Sequence, residues 1–309
     1  MQTYGFEIEH CGLNETAIEN AISGVAHPVH GPAVFLGCFR YHGSRHLGLR
    51  HHNQWVAERD GSLYCRRTGL TNEIVSPILH GIDGLRHLKR VMASMKRAGA
   101  TVNKSCGLHV TLGVNSSSAR FVRMSAHKKA GVLCRIIDAY DYFQQAFDQL
   151  VSQSRRAGAP GASGYCPRIM GNNYFGLATP AQAQRRARGV GRGVVNVNNF
   201  TTNGTIEFRQ HNGTLNGHKI ETWALLCQRL VAWAVRTAVG SDGYDVRQHE
   251  PTLFGLMDML RVGSDLKARL VARREQVMNS RYDWFPTHHY AEMWSAREAW
   301  AISNAGGVA

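Results

Sequence analysis

Apolar and polar residues alternate strictly in three short segments of this chain, and the polar half of each alternation is chemically unusual. In Thr3–Glu9, Phe6 and Ile8 point one way and Glu7 and Glu9 the other. In Gly107–Leu112, His109 and Thr111 oppose Leu108, Val110 and Leu112. In Thr205–Arg209, Glu207 and Arg209 oppose Ile206 and Phe208. Period two predicts a strand that turns one face to a core, and here each opposite face carries charged or metal-ligating groups. If the strands share a sheet, these groups line one surface. Glu73 lies on a further predicted strand, Asn72–Leu79, whose alternation is less clean because Val75 shares its face and Ser76-Pro77 interrupts it.

The remaining pattern fills in an α+β plan. Asn14 caps a short helix reaching about Ser23, and Phe35–Tyr41 reads as a strand. Gln54–Arg59, Asp60-Gly61 and Ser62–Arg67 predict a hairpin, since Asp-Gly suits a type I′ turn. Ile82, Leu85, Leu88, Met92 and Met95 have helical spacing, which Gly99 ends. Ser118–Gln153 reads as largely helical, Ser154–Gly164 as a mobile loop, and Thr179-Pro180 as a helix start. Val194–Phe200 and Thr205–His211 are predicted strands joined by Thr202-Asn203-Gly204. A long helix over Gly217–Val239 turns Trp223, Leu226, Leu230 and Trp233 inward. The fold class expected is α+β: a mainly antiparallel sheet with flanking helices.

Composition narrows the setting. A chain of 309 residues with 43% hydrophobic and 19% charged residues is ordinary for a globular protein with a sizeable core. No apolar run approaches the roughly 20 residues that span a bilayer. The first residues lack the blocks of a signal peptide, so the expected location is the cytoplasm. Seven scattered cysteines without a Cys-x-x-Cys pair fit free thiols better than a disulfide framework or a zinc site. Sixteen histidines, seven of them before residue 53, read as a polar segment, because no cysteine or acidic spacing completes a zinc set. The formal charge of +14 implies anionic partners, and it is densest at Arg185-Arg186-Ala187-Arg188 and Arg192.

Several carboxylates with one histidine make a mostly hard-oxygen donor set, suited to magnesium or manganese rather than zinc. An arginine two residues from an acidic ligand can hold phosphate beside the metal. No Walker sequence is present, and Gly189–Gly193 is too generic to count as a dinucleotide loop. Each residue singly has a plainer reading. Glu7 and Glu9 suit an exposed strand face as well as a metal site. His109 alone suits a structural role, Glu207 and Arg209 a salt-bridge ladder, and Asp60 a turn.

Five motifs in order carry a resemblance. They are Tyr4-Gly5-Phe6-Glu7-Ile8-Glu9, Asp60-Gly61-Ser62-Leu63, Glu73-Ile74-Val75-Ser76-Pro77, Cys106-Gly107-Leu108-His109-Val110 and the run from Gly204 through Glu207, Arg209 and His211 to Thr214. Together they resemble the amidoligase family, within the carboxylate-amine ligase superfamily of glutamine synthetase and glutamate-cysteine ligase, over about residues 3–235. The resemblance implies a glutamine-synthetase-like catalytic domain, taken as residues 1–240; residues 241–309 fall outside it and read as a helical C-terminal extension packed on that domain. It implies an ATP-dependent ligase with two or three Mg2+ ions, or Mn2+, which joins a carboxylate to an amine through an acyl phosphate. By the same resemblance Glu7, Glu9, Asp60, Glu73, His109 and Glu207 are metal ligands. Arg209 and His109 contact the nucleotide, and Arg209 and Glu73 are catalytic. Cys106 is read as packing rather than as a nucleophile.

The sequence departs from that family at Thr111, where many relatives carry a second histidine. Tyr165-Cys166 and Asn196-Val197-Asn198 resemble substrate-side positions only loosely. Arg155, Arg156, Arg168, Arg185 and Arg186 are candidates for an acidic substrate or the nucleotide, though each singly reads as part of a solvated loop. The charge leaves a second class open: a nucleic-acid-binding protein with a ligase-like fold and no turnover, or a ligase acting on a charged macromolecule.

Overall fold

The computed structural model describes residues 2–40, 53–66, 68–117, 119–156, 179–182, 193–240 and 245–279. Among these described residues eight strands form one sheet: β1 (Thr3–Cys11), β4 (Val34–Phe39), β5 (Gln54–Glu58), β6 (Thr71–Val75), β7 (Leu79–His80), β8 (Gly107–Gly113), β9 (Val195–Asn196) and β10 (Thr205–Asn212). Their order is β4-β5-β6-β1-β8-β10-β9, with β7 also paired to β1. Only β4 and β5 run parallel; the other pairs are antiparallel. A separate small ribbon joins β2 (Ala26–His27) to β3 (Gly31–Pro32). The expected α+β class, a mainly antiparallel sheet with flanking helices, is the one observed.

The three alternating segments are neighbours in the middle of this sheet. Their apolar halves (Phe6 and Ile8, Leu108, Val110 and Leu112, Ile206 and Phe208) are all buried in one core cluster. Helices α1 (Glu15–Ile22) and α2 (Gly81–Arg97) and the helices Ala126–Tyr142 and Gly217–Gly240 supply the other side of that core. Trp223, Leu226, Leu230 and Trp233 point inward as their spacing predicts. Ile82 does not: it sits in the first turn of α2 and is exposed. The side-chain period in a sheet is two, so burying these apolar halves turns every acidic half to the opposite face.

Where structure and pattern differ, local hydrogen bonds explain it. The segment after Asp60 does not return as a hairpin strand. Asp60 Oδ1 accepts from Ser62 N (2.8 Å), while Tyr64 N donates to Ser105 Oγ (3.2 Å) and Asn103 Nδ2 donates to Tyr64 O (2.6 Å). With that backbone engaged elsewhere, β5 pairs with β4 and β6 instead. The strand predicted over Asn72–Leu79 splits into β6 and β7 at Ser76, which donates its N–H to Phe6 O and accepts from Phe6 N on its hydroxyl. The helical stretch predicted from Ser118 breaks at Ser125, which caps Ala126–Tyr142 by accepting from Lys128 N (3.4 Å). The strand predicted from Val194 shortens to β9. The helical turn Phe200–Asn203 follows, and Gly204 then takes φ +64, a conformation open to glycine, to enter β10. Thr179 accepts from Gln182 N (3.2 Å) as a cap should, and the rest of that segment lies outside the described residues. The helices Leu253–Met259 and Ser264–Met278 add Leu256, Met257 and Leu270 to the same core.

One half-buried acid in the helical layer sets a pH dependence. Burial raises the Asp138 carboxyl to about 6, partly opposed by Arg247. The native state therefore keeps this proton to a higher pH than the unfolded chain. Stability contributed here is greatest below the ordinary Asp range, falls as pH rises to about 6, and is level above. Asp138→Asn is expected to stabilise the protein at pH 7 by about 1–2 kcal/mol, after allowance for partial solvation, and to be neutral near pH 3.5. Urea unfolding at both pH values measures this.

Candidate active site

Cross-strand register assembles the acidic face. Glu58 of β5, Glu73 of β6 and Glu9 of β1 lie side by side, as Glu58↔Glu73 and Glu9↔Glu73. Glu7 pairs with His109 of β8, and Glu207 of β10 lies between Thr111 of β8 and Asn196 of β9. Like charges placed directly opposite on neighbouring strands are destabilising unless something neutralises them.

His109 is the hub. Its Nδ1 lies 2.9 Å from Glu7 Oε2 and 3.4 Å from Glu207 Oε1, and its Nε2 lies 3.8 Å from Glu9 Oε1. Burial, reinforced by Arg209, lowers its pKa to about 4, so the imidazole is neutral at physiological pH. With the Nδ1 proton assigned to Glu7, Nε2 presents a lone pair to the Glu9 carboxylate, and two acceptors facing each other call for a shared cation. Glu73 tells the same story. Burial first, then Glu7, Glu9, Asp60 and Glu58, hold its carboxyl well above the ordinary range. Glu7, His109 and Glu207 bring ligand atoms within 4.8 Å of one another, and so do Glu9, Glu73 and His109. Each group has donors that fit a hard divalent cation, and the neutral imidazole, with its one lone pair on Nε2, can ligate only the one beside Glu9 and Glu73.

The other ligand oxygens are held by fixed donors. Glu207 accepts from Arg209 Nη1 (2.5 Å) on Oε1 and from Asn196 Nδ2 (2.7 Å) on Oε2. Glu9 Oε2 accepts from Gly107 N and lies 3.5 Å from Arg155 Nη2, which also donates to Ser105 O (2.8 Å). Such second partners orient the carboxylates: Glu9 is left with Oε1 toward His109, while Glu207 has a donor on each oxygen.

The structure thus brings Glu7, Glu9, Glu73, His109, Glu207 and Arg209 together. Asp60 is close enough to act on Glu73 electrostatically but belongs to neither ligand group, and its Oδ1 serves the turn. Thr111 stands on the same face opposite Glu207. Glu58 was not anticipated, yet its signal is in the sequence: Val56, Glu58 and Asp60 alternate with Trp55 and Ala57, which are core residues. Arg155 departs from the solvated-loop reading, being only 2% exposed in the 3₁₀ turn Gln153–Arg155. Tyr165, Cys166, Arg168, Arg185, Arg186 and Arg192 lie outside the described residues. The six described cysteines are free thiols, Cys106 among the buried ones. No described helix is long and apolar enough to cross a membrane.

Carboxylates, one neutral histidine and an arginine gathered on one sheet face have the chemistry to hold a divalent cation beside a phosphate. Comparison with known proteins gives the family: the model described as "Putative amidoligase enzyme" matches residues 1–160 and 179–231, and the chain belongs to that family. No curated protein matches the sequence significantly. Among solved structures, one described as a novel glutamine synthase homolog aligns over 94% of this chain and 70% of its own, at 12% identity and a TM-score of 0.31. A likeness of that size carries no argument about the site.

Proposed function

We propose that the protein is an ATP-dependent carboxylate-amine ligase working through an acyl phosphate. The observation that carries the reading is the pair of acidic groups that meet at His109, with Arg209 fixed beside Glu207. Glu9, Glu73 and His109 Nε2 would hold one divalent ion, and Glu7 and Glu207 a second, with the His109 Nδ1–H orienting Glu7 and with Glu58 against Glu73. When bound, the ions supply charge neutralisation for the polyphosphate and for the phosphoryl group in transfer.

The chain's own residues do the rest. The guanidinium of Arg209, oriented by Glu207, would contact phosphate oxygens and favour the transition state, in which charge spreads over the equatorial oxygens. A substrate carboxylate oxygen attacks the γ-phosphorus of ATP and ADP leaves. The amine nitrogen then attacks the acyl carbon, expelling inorganic phosphate and losing a proton to give the amide. Gly107 N–H and Asn196 hold the Glu9 and Glu207 carboxylates in place throughout. No cysteine is needed as a nucleophile, in keeping with Cys106 being buried and its thiol pKa raised by burial.

ADP release that requires Mg2+, a carboxylate and an amine together supports the assignment. Glu207→Gln is expected to lower that turnover about 10²–10³-fold, since it weakens a ligand and the orientation of Arg209 at once. Calorimetry showing that the intact protein binds neither ATP nor Mg2+ overturns it. The charge of +14 favours one second reading, salt-sensitive nucleic-acid binding. Affinity for DNA or RNA that survives Glu7→Ala and Glu207→Ala, with no turnover of ATP, replaces the ligase with that reading.

A further inference from the structure

Three of the described thiols meet where β1 ends. Cys11 closes that strand just beyond Glu9, Cys106 precedes Gly107 at the start of β8, and Cys65 lies in the segment after Asp60. The side-chain amide of Asn103 gathers them. Its Nδ2 donates to Cys11 Sγ (3.3 Å) and to the carbonyl of Tyr64 (2.6 Å), the residue before Cys65, and its Oδ1 accepts from Cys106 Sγ (3.7 Å). The Cys11 thiol is in hydrogen-bond contact with the thiols of both Cys65 and Cys106. Backbone bonds hold each side of this contact. Cys11 N donates to Thr101 O (2.8 Å) and Cys11 O accepts from Thr101 N (2.9 Å), while Tyr64 N donates to Ser105 Oγ (3.2 Å). Cys11 and Cys106 are buried; Cys65 is partly exposed, with its sulfur 3.1 Å from the Thr68 hydroxyl. Burial raises the pKa of both the Cys11 and Cys106 thiols, so Cys65 is the sulfur of the three that a dissolved oxidant meets first.

We propose that Cys65 and Cys11 form a site of reversible oxidation by peroxides, in which Cys65 takes the oxidant and Cys11 closes a disulfide onto it. The Cys65 sulfur attacks one oxygen of the peroxide and the O–O bond breaks, leaving a sulfenic acid and, from hydrogen peroxide, one water. The Cys11 sulfur then attacks the Cys65 sulfur, and the Cys11 proton leaves with the sulfenic hydroxyl as a second water. The two thiols lose one electron each, and the peroxide takes up both. Cys11 is the partner because its thiol already touches that of Cys65. The bond fastens the segment that follows Asp60 to the strand that carries Glu7 and Glu9. It forms beside the Asn103–Cys106 turn, whose Ser105 carbonyl holds Arg155 (2.8 Å) and which leads into the Gly107 N–H on Glu9.

The test is non-reducing peptide mapping by mass spectrometry on the full chain, first reduced and freed of reductant, then exposed to hydrogen peroxide and alkylated. Neither nucleotide nor metal is present, so its result is independent of the ligase assignment. A Cys11–Cys65 disulfide is expected as the principal product and is lost on adding dithiothreitol. Cys38, also partly exposed, is the comparator and is expected to form no disulfide within the chain. Cys65→Ser, at a partly exposed position that tolerates the change, is expected to lose the oxidation of Cys11. Cys11→Ser is expected to leave Cys65 as a sulfenic acid that dimedone labels, and Cys106→Ser to retain the disulfide. Cys38 oxidised with Cys65 and Cys11 both still thiols, Cys65 oxidised with Cys11 still a thiol, Cys65 paired with any other cysteine, or Cys11 oxidised in Cys65→Ser each overturns the proposal.

Discussion

Glu73→Gln is expected to make the metal-free protein more stable while nearly abolishing its activity. The residue is 4% exposed and faces Glu9 and Glu58 on the two adjacent strands. Ionised, it stands in a field of carboxylates with little water to screen them, and its pKa is raised well above the ordinary value. The native state therefore retains a proton that the unfolded chain has already released. Stability of the metal-free wild type falls as pH rises from the ordinary Glu range toward the raised native value, and it is unaffected below that range. Glutamine removes this loss, with an expected gain of about 1–3 kcal/mol at pH 8 and none near pH 4. Magnesium reverses the order. It stabilises the wild type by binding only the native state, whereas the variant lacks a ligand and gains less. Turnover is expected to fall at least about 10²-fold. Unfolding in EDTA and in excess Mg2+ at both pH values measures all of this. A variant less stable than wild type in EDTA at pH 8 would show that Glu73 is neutralised by its protein neighbours and has no need of a cation.

The acidic face was legible because it is written in period two on strands that turn out to be neighbours. Phe6, Ile8, Leu108, Val110, Ile206 and Phe208 name the core face, and the residues between them can only lie opposite. The same rule applied to β5 reaches Glu58, which alternates with the core residues Trp55 and Ala57. Asp-Gly carries a real turn signal, but Asn103 and Ser105, some forty residues later, occupy the backbone groups that a returning strand would need. No local pattern contains that competition. The long helical stretch from Ser118 was legible in its apolar spacing and not in its breaks, which depend on single caps such as Ser125. Arg155 was the least legible of all. Its neighbours in sequence are polar and small, and only the close approach of Gly107 makes room for its side chain.

That approach makes Arg155 the residue whose loss should separate stability from metal affinity. A Cβ on Gly107 would come within 2.8 Å of the Arg155 guanidinium, so the glycine is the seat on which the arginine lies. From there the side chain reaches Glu9 and Ser105 O, while its backbone carbonyl accepts from Gln210 Nε2 (3.4 Å). Gln210 is itself bonded to Tyr140 (2.7 Å) and Asp148 (2.5 Å), so the turn is anchored in the core. Arg155→Met leaves the buried Glu9 carboxylate with the Gly107 N–H and without its arginine partner. The expected cost to the metal-free protein is about 3–5 kcal/mol, the usual result of breaking one side of a buried pair. Arginine and a divalent ion compete for the charge of Glu9, so the same variant is expected to bind Mg2+ more tightly, by about tenfold or 1.4 kcal/mol. Gly107→Ala should show both effects in smaller measure, because the arginine can swing aside without being removed. Unfolding in EDTA and Mg2+ titration by calorimetry read the two quantities separately. Arg155→Met with lower stability and lower Mg2+ affinity would make the arginine a structural support alone; lower stability with higher affinity identifies it as the counter-charge that holds Glu9 until metal arrives.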